Sequence, residues 1–320
     1  LRLIARRSRL VTASGSFTVG ANYDSNRNSA PASDEVLALG SRFELTGLNK
    51  ARGDAALVTS AAAELRRQLS ANSKSDVFLS GAYYRADQRN LTDISLGAFS
   101  GAAGARLRGA RGALTAKLLY DNVYLDNESF LQNGGASLRY DRKLSWNYGA
   151  YAEARYLDQK FFATPDADAN RQRSGGQRSL ALGASRAFSP ASQLEAEFSA
   201  SAKDAREDYY AYDTLAFSLR HSWLMKRGMF LLTSAQLGRD RYRRADAMVD
   251  PSTKRRDTNM RGGMTLGLPG SLLSGASAFR NLTMTLGYEH TRDSSNITNY
   301  TYNSDKETVL FNYKWEAGLW

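Results

Sequence analysis

"ETVLFNYKWEAGLW", residues 307–320, contains the pattern that decides the fold of this chain of 320 residues. Four apolar residues recur there on every second position: Val309, Phe311, Tyr313 and Trp315. Polar residues such as Asn312 and Lys314 lie between them. Because successive side chains of a β-strand point to opposite faces, the stretch predicts a strand with one apolar and one polar face.

The same alternation recurs along the rest of the chain and predicts fourteen strands. Many of these stretches run for roughly 10 to 13 residues, longer than the ~5 or 6 of ordinary strands and close to the ~9 to 11 that cross a bilayer at a tilt. We place the strands at residues 14–23, 54–68, 75–87, 93–105, 111–122, 131–142, 147–158, 177–188, 193–203, 213–224, 229–241, 258–268, 279–290 and 303–315.

The connections between the predicted strands alternate in length. Short ones, such as 108–112 and 189–193, alternate with long polar ones, such as 121–132 and 240–257. Bacterial outer-membrane barrels have short periplasmic turns and long external loops. An even number of strands lets the first and last strands pair, so that no edge remains in the lipid. The sequence therefore predicts an all-β fold: a transmembrane, antiparallel, up-and-down β-barrel in the bacterial outer membrane.

Tyrosines fall at the ends of strands next to the long loops. Amphipathic rings are favoured at the level of the lipid headgroups, so these residues predict one aromatic belt of the barrel. They are Tyr23, Tyr83, Tyr84, Tyr120, Tyr156, Tyr242 and Tyr288.

The limits of the barrel are set by where the alternation stops. Residues 35–47 also have strand character; they belong to the first long loop or an inward segment, or they pair in the barrel and make sixteen strands. Residues 1–13 are basic and do not alternate, so we expect a frayed helix, or a linker from an upstream periplasmic domain. Trp320 would share a face with Glu316 and Gly318, so we expect the barrel to span 14–315 and residues 316–320 to form a tail.

The composition excludes several classes of site. The chain has no Cys and only two His, which argues against disulfides and zinc clusters. The formal net charge is +11 and the mean hydropathy is −0.48, without any run of ~18 to 20 apolar residues that would form a membrane helix. A polar average is compatible with a membrane barrel, because only alternate residues of its strands face lipid.

Charged residues recur on the polar faces of the predicted strands. A Lys or Arg facing lipid at the midplane would cost about 2 to 4 kcal/mol, so we expect these side chains to line the lumen. They pair across strands or line a wet passage, and the sequence leaves both possibilities open. The predicted lumen-lining residues are Lys117, Arg139, Glu153, Arg155, Glu195, Glu197, Arg220, Glu289 and Lys314.

Three stretches carry a family resemblance. "VGANYDSNRNSAP" (19–31) follows a Gly-x-x-Tyr-Asp-x-Asn-x-Asn pattern, 62–98 is a strand pair around a Leu-Ser-x-Asn turn, and 290–315 contains a Ser-Asn-Ile segment before the last strand. These stretches resemble the barrel of the surface lipoprotein assembly modifier family. The resemblance implies a fourteen-stranded barrel that helps lipoproteins or secreted partners reach the cell surface. The family's helical-repeat domain has no counterpart in this sequence, and the chain is strongly basic.

The motifs of other chemistries are incomplete in this sequence. His221 is in phase with apolar residues near a strand end, and His290 lies close in sequence to Asp293 and Ser294. Neither pattern predicts a catalytic triad, so we expect no enzyme, no catalytic residue and no cofactor. "TPDADAN" (164–170) lacks the Gly and later Glu of a calcium loop, and "YDSNRN" suits loop capping equally well, so no metal site is predicted.

The expected function follows from the barrel and its resemblance. We expect an outer-membrane translocation or assembly barrel with a polar lumen and a partly mobile seam between strands 14–23 and 303–315. The alternative is an outer-membrane channel or porin for small solutes or polysaccharide. Expected partners are an exported protein cargo, the barrel assembly machinery that reads the last strand, and outer-membrane lipid. The basic stretches 239–247 and 254–257 are expected to bind lipopolysaccharide phosphates rather than nucleic acid.

Overall fold

Fourteen strands of the chain form one closed antiparallel barrel. The computed structural model describes residues 10–70, 73–164 and 168–318. Two short strands, β2 (Glu35–Ala38) and β3 (Ser41–Glu44), pair only with each other, within the connection after β1. The barrel strands are β1 (Val11–Asp24), β4 (Asp54–Gln68), β5 (Asp76–Gln88), β6 (Leu96–Arg108), β7 (Gly112–Leu125), β8 (Glu128–Lys143), β9 (Tyr148–Phe161), β10 (Gly175–Ser189), β11 (Ser192–Lys203), β12 (Tyr212–Leu224), β13 (Phe230–Ala245), β14 (Lys254–Pro269), β15 (Leu282–Ser295) and β16 (Tyr302–Gly318).

The prediction of fourteen barrel strands is confirmed. The sixteen-strand alternative is excluded, because residues 35–47 contribute a separate hairpin within the first long loop. Short 3₁₀ helices are the only helices among the described residues, and none is long and apolar enough to span a membrane. They are Gly47–Asn49, Thr92–Ile94, Asp168–Arg173, Asp208–Tyr210, Lys226–Gly228, Gly270–Leu272, Ser277–Asn281 and Thr298–Tyr300.

The barrel closes between β1 and β16. Their register runs without a shift from the pair Thr12–Gly318 to the pair Asp24–Lys306. Inside this seam, the Asn312 side-chain amide donates to Thr18 Oγ1 at 2.7 Å. Closure satisfies backbone donors and acceptors that no water could reach inside the lipid.

Several predicted boundaries are wrong. β16 remains paired to Gly318, three residues beyond the predicted end at Trp315, and β1 begins at Val11 rather than at residue 14.

Residues 121–132 are not a long loop: β7 and β8 continue through them and turn at Asp126 and Asn127, whose φ angles are 46° and 67°. Positive φ at both central residues is the requirement of a tight type I′ hairpin turn. Residues 1–9 and 319–320 lie outside the described residues.

The two faces of the wall differ in chemistry. Large apolar side chains are exposed on the outer face, as in β7, where Leu114, Leu118 and Tyr120 share one phase and Leu118 is 68% exposed. This is what lipid requires of a barrel surface. Two tyrosines of the predicted belt have the opposite phase. Tyr84 packs beside the buried residues of β4 and β5, and Tyr242 stacks on an inner tyrosine, so both belong to the interior.

The two ends of the barrel also differ. The chain enters β1 and leaves β16 at the same end, where the connections β6–β7, β8–β9, β10–β11 and β12–β13 are short. The β14–β15 connection, residues 270–281, is longer and contains two 3₁₀ helices. We call this the short-turn end, and in outer-membrane barrels it faces the periplasm. The opposite end carries the long loops, with the β7–β8 hairpin as an exception.

Candidate functional site

The interior of the barrel is the candidate functional site, because the strands place most of their charged residues there. The nine residues predicted to line the lumen all have the phase opposite to the exposed apolar face of their strands. Register partners share a face, and the structure pairs Arg139 with Glu153 and Glu195 with Arg220. That they line a wet passage stays a prediction.

Five of the nine are brought together in ion pairs. Glu153 accepts from Arg155 at 3.0 Å and lies 3.5 Å from Arg139, and Glu195 pairs with Arg220 at 2.9 Å. We call these five residues, with Asp141 and Glu197, the inner charge ladder; it spans β8 to β12. Arg139 also binds Asp141 through two nitrogens, the shorter distance being 2.8 Å.

The other predicted residues lie elsewhere on the wall. Glu289 is 3.8 Å from Arg261, a residue that sequence reasoning did not select. Among the described residues, Lys117 and Lys314 have no acidic side chain within 4 Å. Lys314 borders a cavity of about 730 Å³ at the short-turn end, together with Ser14, Ser16 and Glu64.

Tyr151 is a central residue of the ladder that sequence reasoning missed. The guanidinium carbon of Arg139 lies 3.6 Å from the centre of the Tyr151 ring, and the Tyr151 hydroxyl donates to Glu197 at 2.5 Å. The ring crosses β10 at Gly183, where a Cβ atom would lie 2.2 Å from it. An aromatic residue in the polar phase of β9, facing a glycine on the next strand, was the sequence signal for this contact.

A second charged cluster, also missed from the sequence, lies at the short-turn end of β4 to β6. Asp76 is 1% exposed and is surrounded by Arg66, Arg106 and Arg108 at 3.9, 3.9 and 3.5 Å. Arg66 also pairs with Glu64, so three cations face two carboxylates and this part of the inner wall keeps a positive charge. A carboxylate as deeply buried as that of Asp76 would be strongly disfavoured without these cations. Its negative charge in turn offsets the repulsion between the three arginines.

The loops at the opposite end are joined to one another. The first loop, residues 25–53, reaches the β13–β14 loop, where Leu39 N–H donates to the Met248 carbonyl at 2.9 Å. It also reaches the β15–β16 loop, where the Asn299 amide accepts from Leu37 N–H at 2.7 Å and donates to the Leu37 carbonyl at 2.8 Å. We call this set of contacts the outer loop network.

Stacked cations and rings continue this network into the interior. The Arg255 guanidinium lies 3.4 Å from the Tyr300 ring centre and 4.6 Å from that of Tyr242, and it pairs with Asp257 at 2.6 Å. Arg255 binds the face of the Tyr300 ring as a cation–π partner, and burial raises the pKa of the Tyr300 hydroxyl further above neutral pH.

The family-like segment 19–31 has a structural role in the same loops. The Asn26 amide donates to the carbonyls of Ala30 and Asn303 and accepts from Ala30 N–H, at 2.9, 3.1 and 3.0 Å. Asp24 accepts from Asn26 N–H at 3.0 Å. The segment therefore holds the first loop against β16. Among the described residues, no group of three His, Cys, Asp or Glu is placed to hold a metal ion; Asp166 of the other candidate loop lies outside them.

The two histidines lie in different surroundings. His221 Nε2 is 3.0 Å from Ser192 Oγ on the outer wall, next to the exposed Trp223. His290 Nδ1 is 2.8 Å from Asp305, which also accepts from the Tyr288 hydroxyl at 2.6 Å. Asp305 stands in the neighbouring strand, so His290 does not use the Asp293 and Ser294 that lie close to it in sequence.

The basic stretches near the long loops divide between two surroundings. Arg243 and Arg244 are held by loop carboxylates, Arg243 by Asp204 at 2.7 Å and Arg244 by Asp208 at 2.9 Å. Arg239 and Arg241 instead point outward on β13. With Arg178 of β10 they border an outer groove of about 660 Å³ above the apolar wall. We call these three residues the outer arginine groove.

Comparison with known proteins identifies the family. A family model described as "Surface lipoprotein assembly modifier" (SlipAM) matches residues 15–315. No curated protein matches the chain.

Solved structures with a similar fold are outer-membrane proteins of low identity. OccAB1 of Acinetobacter baumannii is 8% identical with a TM-score of 0.49, and the match covers 96% of each chain. The outer-membrane protein opdK of Pseudomonas aeruginosa is 8% identical with a TM-score of 0.43, over 96% of this chain and 99% of the other. The chain is a bacterial outer-membrane β-barrel and belongs to the surface lipoprotein assembly modifier family.

Proposed function

We propose that the protein is a translocation or assembly barrel that helps a lipoprotein cargo reach the cell surface. The family match over residues 15–315 carries this proposal. Two structural features support it. The interior has a polar wall that an extended peptide could follow, and the outer loop network ties together the loops through which a cargo segment would leave.

The route we favour runs through the lumen rather than through the seam. The sequence suggested a partly mobile seam, but β1 and β16 are paired over thirteen successive positions. Opening them in lipid would leave backbone groups without partners, at a cost of several kcal/mol each. The outer loops need only exchange hydrogen bonds with water, so we propose that they move and the seam stays closed.

The last strand provides the other proposed contact with cellular machinery. Val309, Phe311, Tyr313 and Trp315 share the outer face of β16 and are about 40% exposed, at 41, 38, 41 and 41%. A continuous apolar and aromatic row is what the barrel assembly machinery would engage during insertion. We further propose that the protein is not an enzyme, since the partners of His221 and His290 do not form a Ser–His–acid relay.

Surface display of lipoproteins tests the main proposal. Intact cells of the wild type, of a deletion strain and of the complemented strain are treated with protease, and the released and total lipoproteins are quantified. We expect the deletion to remove one or a few lipoproteins from the surface while their total amounts persist. An unchanged set of surface lipoproteins would show that the barrel does not serve this function.

A channel for small solutes is the second candidate. The observation that favours it is an inner cavity of about 640 Å³ bordered by both cations and anions, among them Arg220, Lys306, Glu195 and Glu289. Single-channel recording in planar bilayers separates the two candidates. A cargo barrel whose loops are joined should be mostly closed, whereas a large, steady, ohmic conductance would favour the channel.

A further inference from the structure

The short-turn end of the lumen contains a groove with an excess of positive charge. Its cavity, of about 550 Å³, lies between the turns that join β4 to β5, β6 to β7 and β8 to β9. We call it the basic groove and define it by Lys74, Arg108, Arg111, Arg142, Lys143 and Trp146.

Most of this charge is not neutralised by the protein. Six basic and two acidic residues border the cavity. Arg108 and Arg139 have carboxylate partners. Glu195, one of the two acidic residues, is itself paired with Arg220 outside the cavity. Within the described part of the chain, Lys74, Arg111, Arg142 and Lys143 have no carboxylate within 4 Å. All four are exposed, so their charge is available to a partner.

The groove is held in shape by hydrogen bonds between its turns. Lys143 N–H donates to the Arg111 carbonyl at 2.9 Å, which joins the β8–β9 strand ends to the β6–β7 turn. Arg108 donates through its side chain to the Lys74 carbonyl at 3.0 Å, which joins β6 to the β4–β5 turn. A site whose backbone is fixed before binding loses less entropy when a ligand arrives.

The position of the groove decides which anion can reach it. Its cavity also touches Arg139, Tyr151 and Glu195 of the inner wall, and Lys143 and Arg108 have the inward phase of their strands. Arg142 alternates with Lys143 and has the outward phase of Leu138 and Tyr140. Lipid headgroups lie outside the wall, so the inward cations of the groove face the lumen and the periplasm, and Arg142 is left out of the proposed peptide contact. The exposed Trp146 at its rim, 77% accessible, adds an apolar surface for a peptide side chain.

We propose that the basic groove binds an acidic, extended segment of the protein cargo as it enters from the periplasm. This inference rests on the proposed function and adds the chemistry of the partner. Three uncompensated cations along three joined turns, Lys74, Arg111 and Lys143, match alternating carboxylates of an unfolded chain. Long-range attraction would speed the capture of that chain.

The test uses the purified full chain in a non-ionic detergent with a fluorescein-labelled peptide of alternating Glu and Ser. A peptide of alternating Lys and Ser is the ligand control. The groove variant carries Lys74→Glu, Arg111→Glu and Lys143→Glu. The matched variant, with the same change in formal charge at the same end of the barrel, carries Lys226→Glu, Arg227→Glu and Arg280→Glu. Heat-modifiable migration in gels verifies that both variants are folded.

We expect the acidic peptide to bind the wild type, with an affinity that falls as salt rises. The groove variant should bind at least about tenfold more weakly, and the matched variant should stay within about twofold of the wild type. Equal weakening in both variants, or binding of phosphatidylglycerol nanodiscs that the groove variant alone loses, would overturn the proposal.

In cells, normal lipoprotein display by the groove variant would exclude cargo as the occupant. Normal lipoprotein display by the deletion strain would instead contradict the proposed function itself.

Discussion

The hydroxyl of Tyr151 reaches across a whole strand to donate a hydrogen bond to Glu197. The ring lies over Gly183 of β10, and Arg139 stacks on its other side. One side chain thus connects β9 to β11 and fixes the position of the ladder's central arginine. The charges of the inner wall are therefore held by an aromatic side chain as well as by each other.

Removing this contact should weaken the barrel measurably. Tyr151→Phe keeps the ring and loses a hydrogen bond to a carboxylate, which should lower the free energy of unfolding by about 2 kcal/mol. Gly183→Ala should cost at least as much, because its methyl group would displace the ring. Urea unfolding in detergent measures both. The control is Gly262→Ala in β14, whose Cβ would meet no atom within 4 Å. Equal stability of Gly183→Ala and Gly262→Ala would contradict the packing described.

The buried carboxylate of Asp76 should matter more than an exposed one. Asp76→Asn leaves Arg66, Arg106 and Arg108 without their common anion, and breaking such a buried arrangement costs about 3 kcal/mol or more. Asp87→Asn, which breaks an exposed pair with Arg85, should cost about 0 to 1 kcal/mol. The same urea titration compares them. If the two variants unfold alike, the three arginines are stabilised by something other than Asp76.

The outer loop network should restrict passage through the barrel. Asn299→Ala removes both hydrogen bonds that hold Leu37 of the first loop. We expect more frequent open events in planar bilayers and faster proteolysis within residues 35–44. Thr298→Ala, in the same 3₁₀ helix, makes no such contact and serves as the control. Unchanged recordings for Asn299→Ala would mean that this connection does not control the mouth.

The outer arginine groove should retain lipopolysaccharide. Each cation near an anionic membrane surface contributes about 1 kcal/mol, so replacing Arg178, Arg239 and Arg241 by Ser should reduce the co-purifying lipopolysaccharide at least about tenfold. Arg292→Ser, at the outer end of β15, is the control. Quantification of lipid A phosphate by mass spectrometry gives the readout. Retention equal to that of the control would place the lipopolysaccharide contact elsewhere.

The fold was predictable from the sequence because one physical requirement acts on every strand. Lipid on one side and a polar interior on the other force the period of two, and this gave the strand number and the inward phase of Arg139 and Glu153. Strand ends were less predictable because the alternation is needed only within the bilayer. β16 continues to Gly318 through backbone pairing that no side-chain pattern records.

Contacts between distant strands and loops could not be read from the alternation. Tyr151 lies in the polar phase, where sequence reasoning looked for charges, and its partner Glu197 is 46 positions away. The pairing of Asn299 with Leu37 joins segments separated by 262 positions. By contrast, Asp126 and Asn127 were a recognisable turn signal within 121–132, and weighing it would have predicted the hairpin.

Cross-linking in living cells tests most directly the claim that cargo travels through the lumen. A photoreactive phenylalanine derivative is introduced at Ser234, which borders the inner cavity, or at Phe217, which is 44% exposed on the outer face. We predict light-dependent adducts with a lipoprotein from position 234 and none from position 217. Adducts from position 217 alone, or from neither position while surface display continues, would contradict transport through the barrel interior.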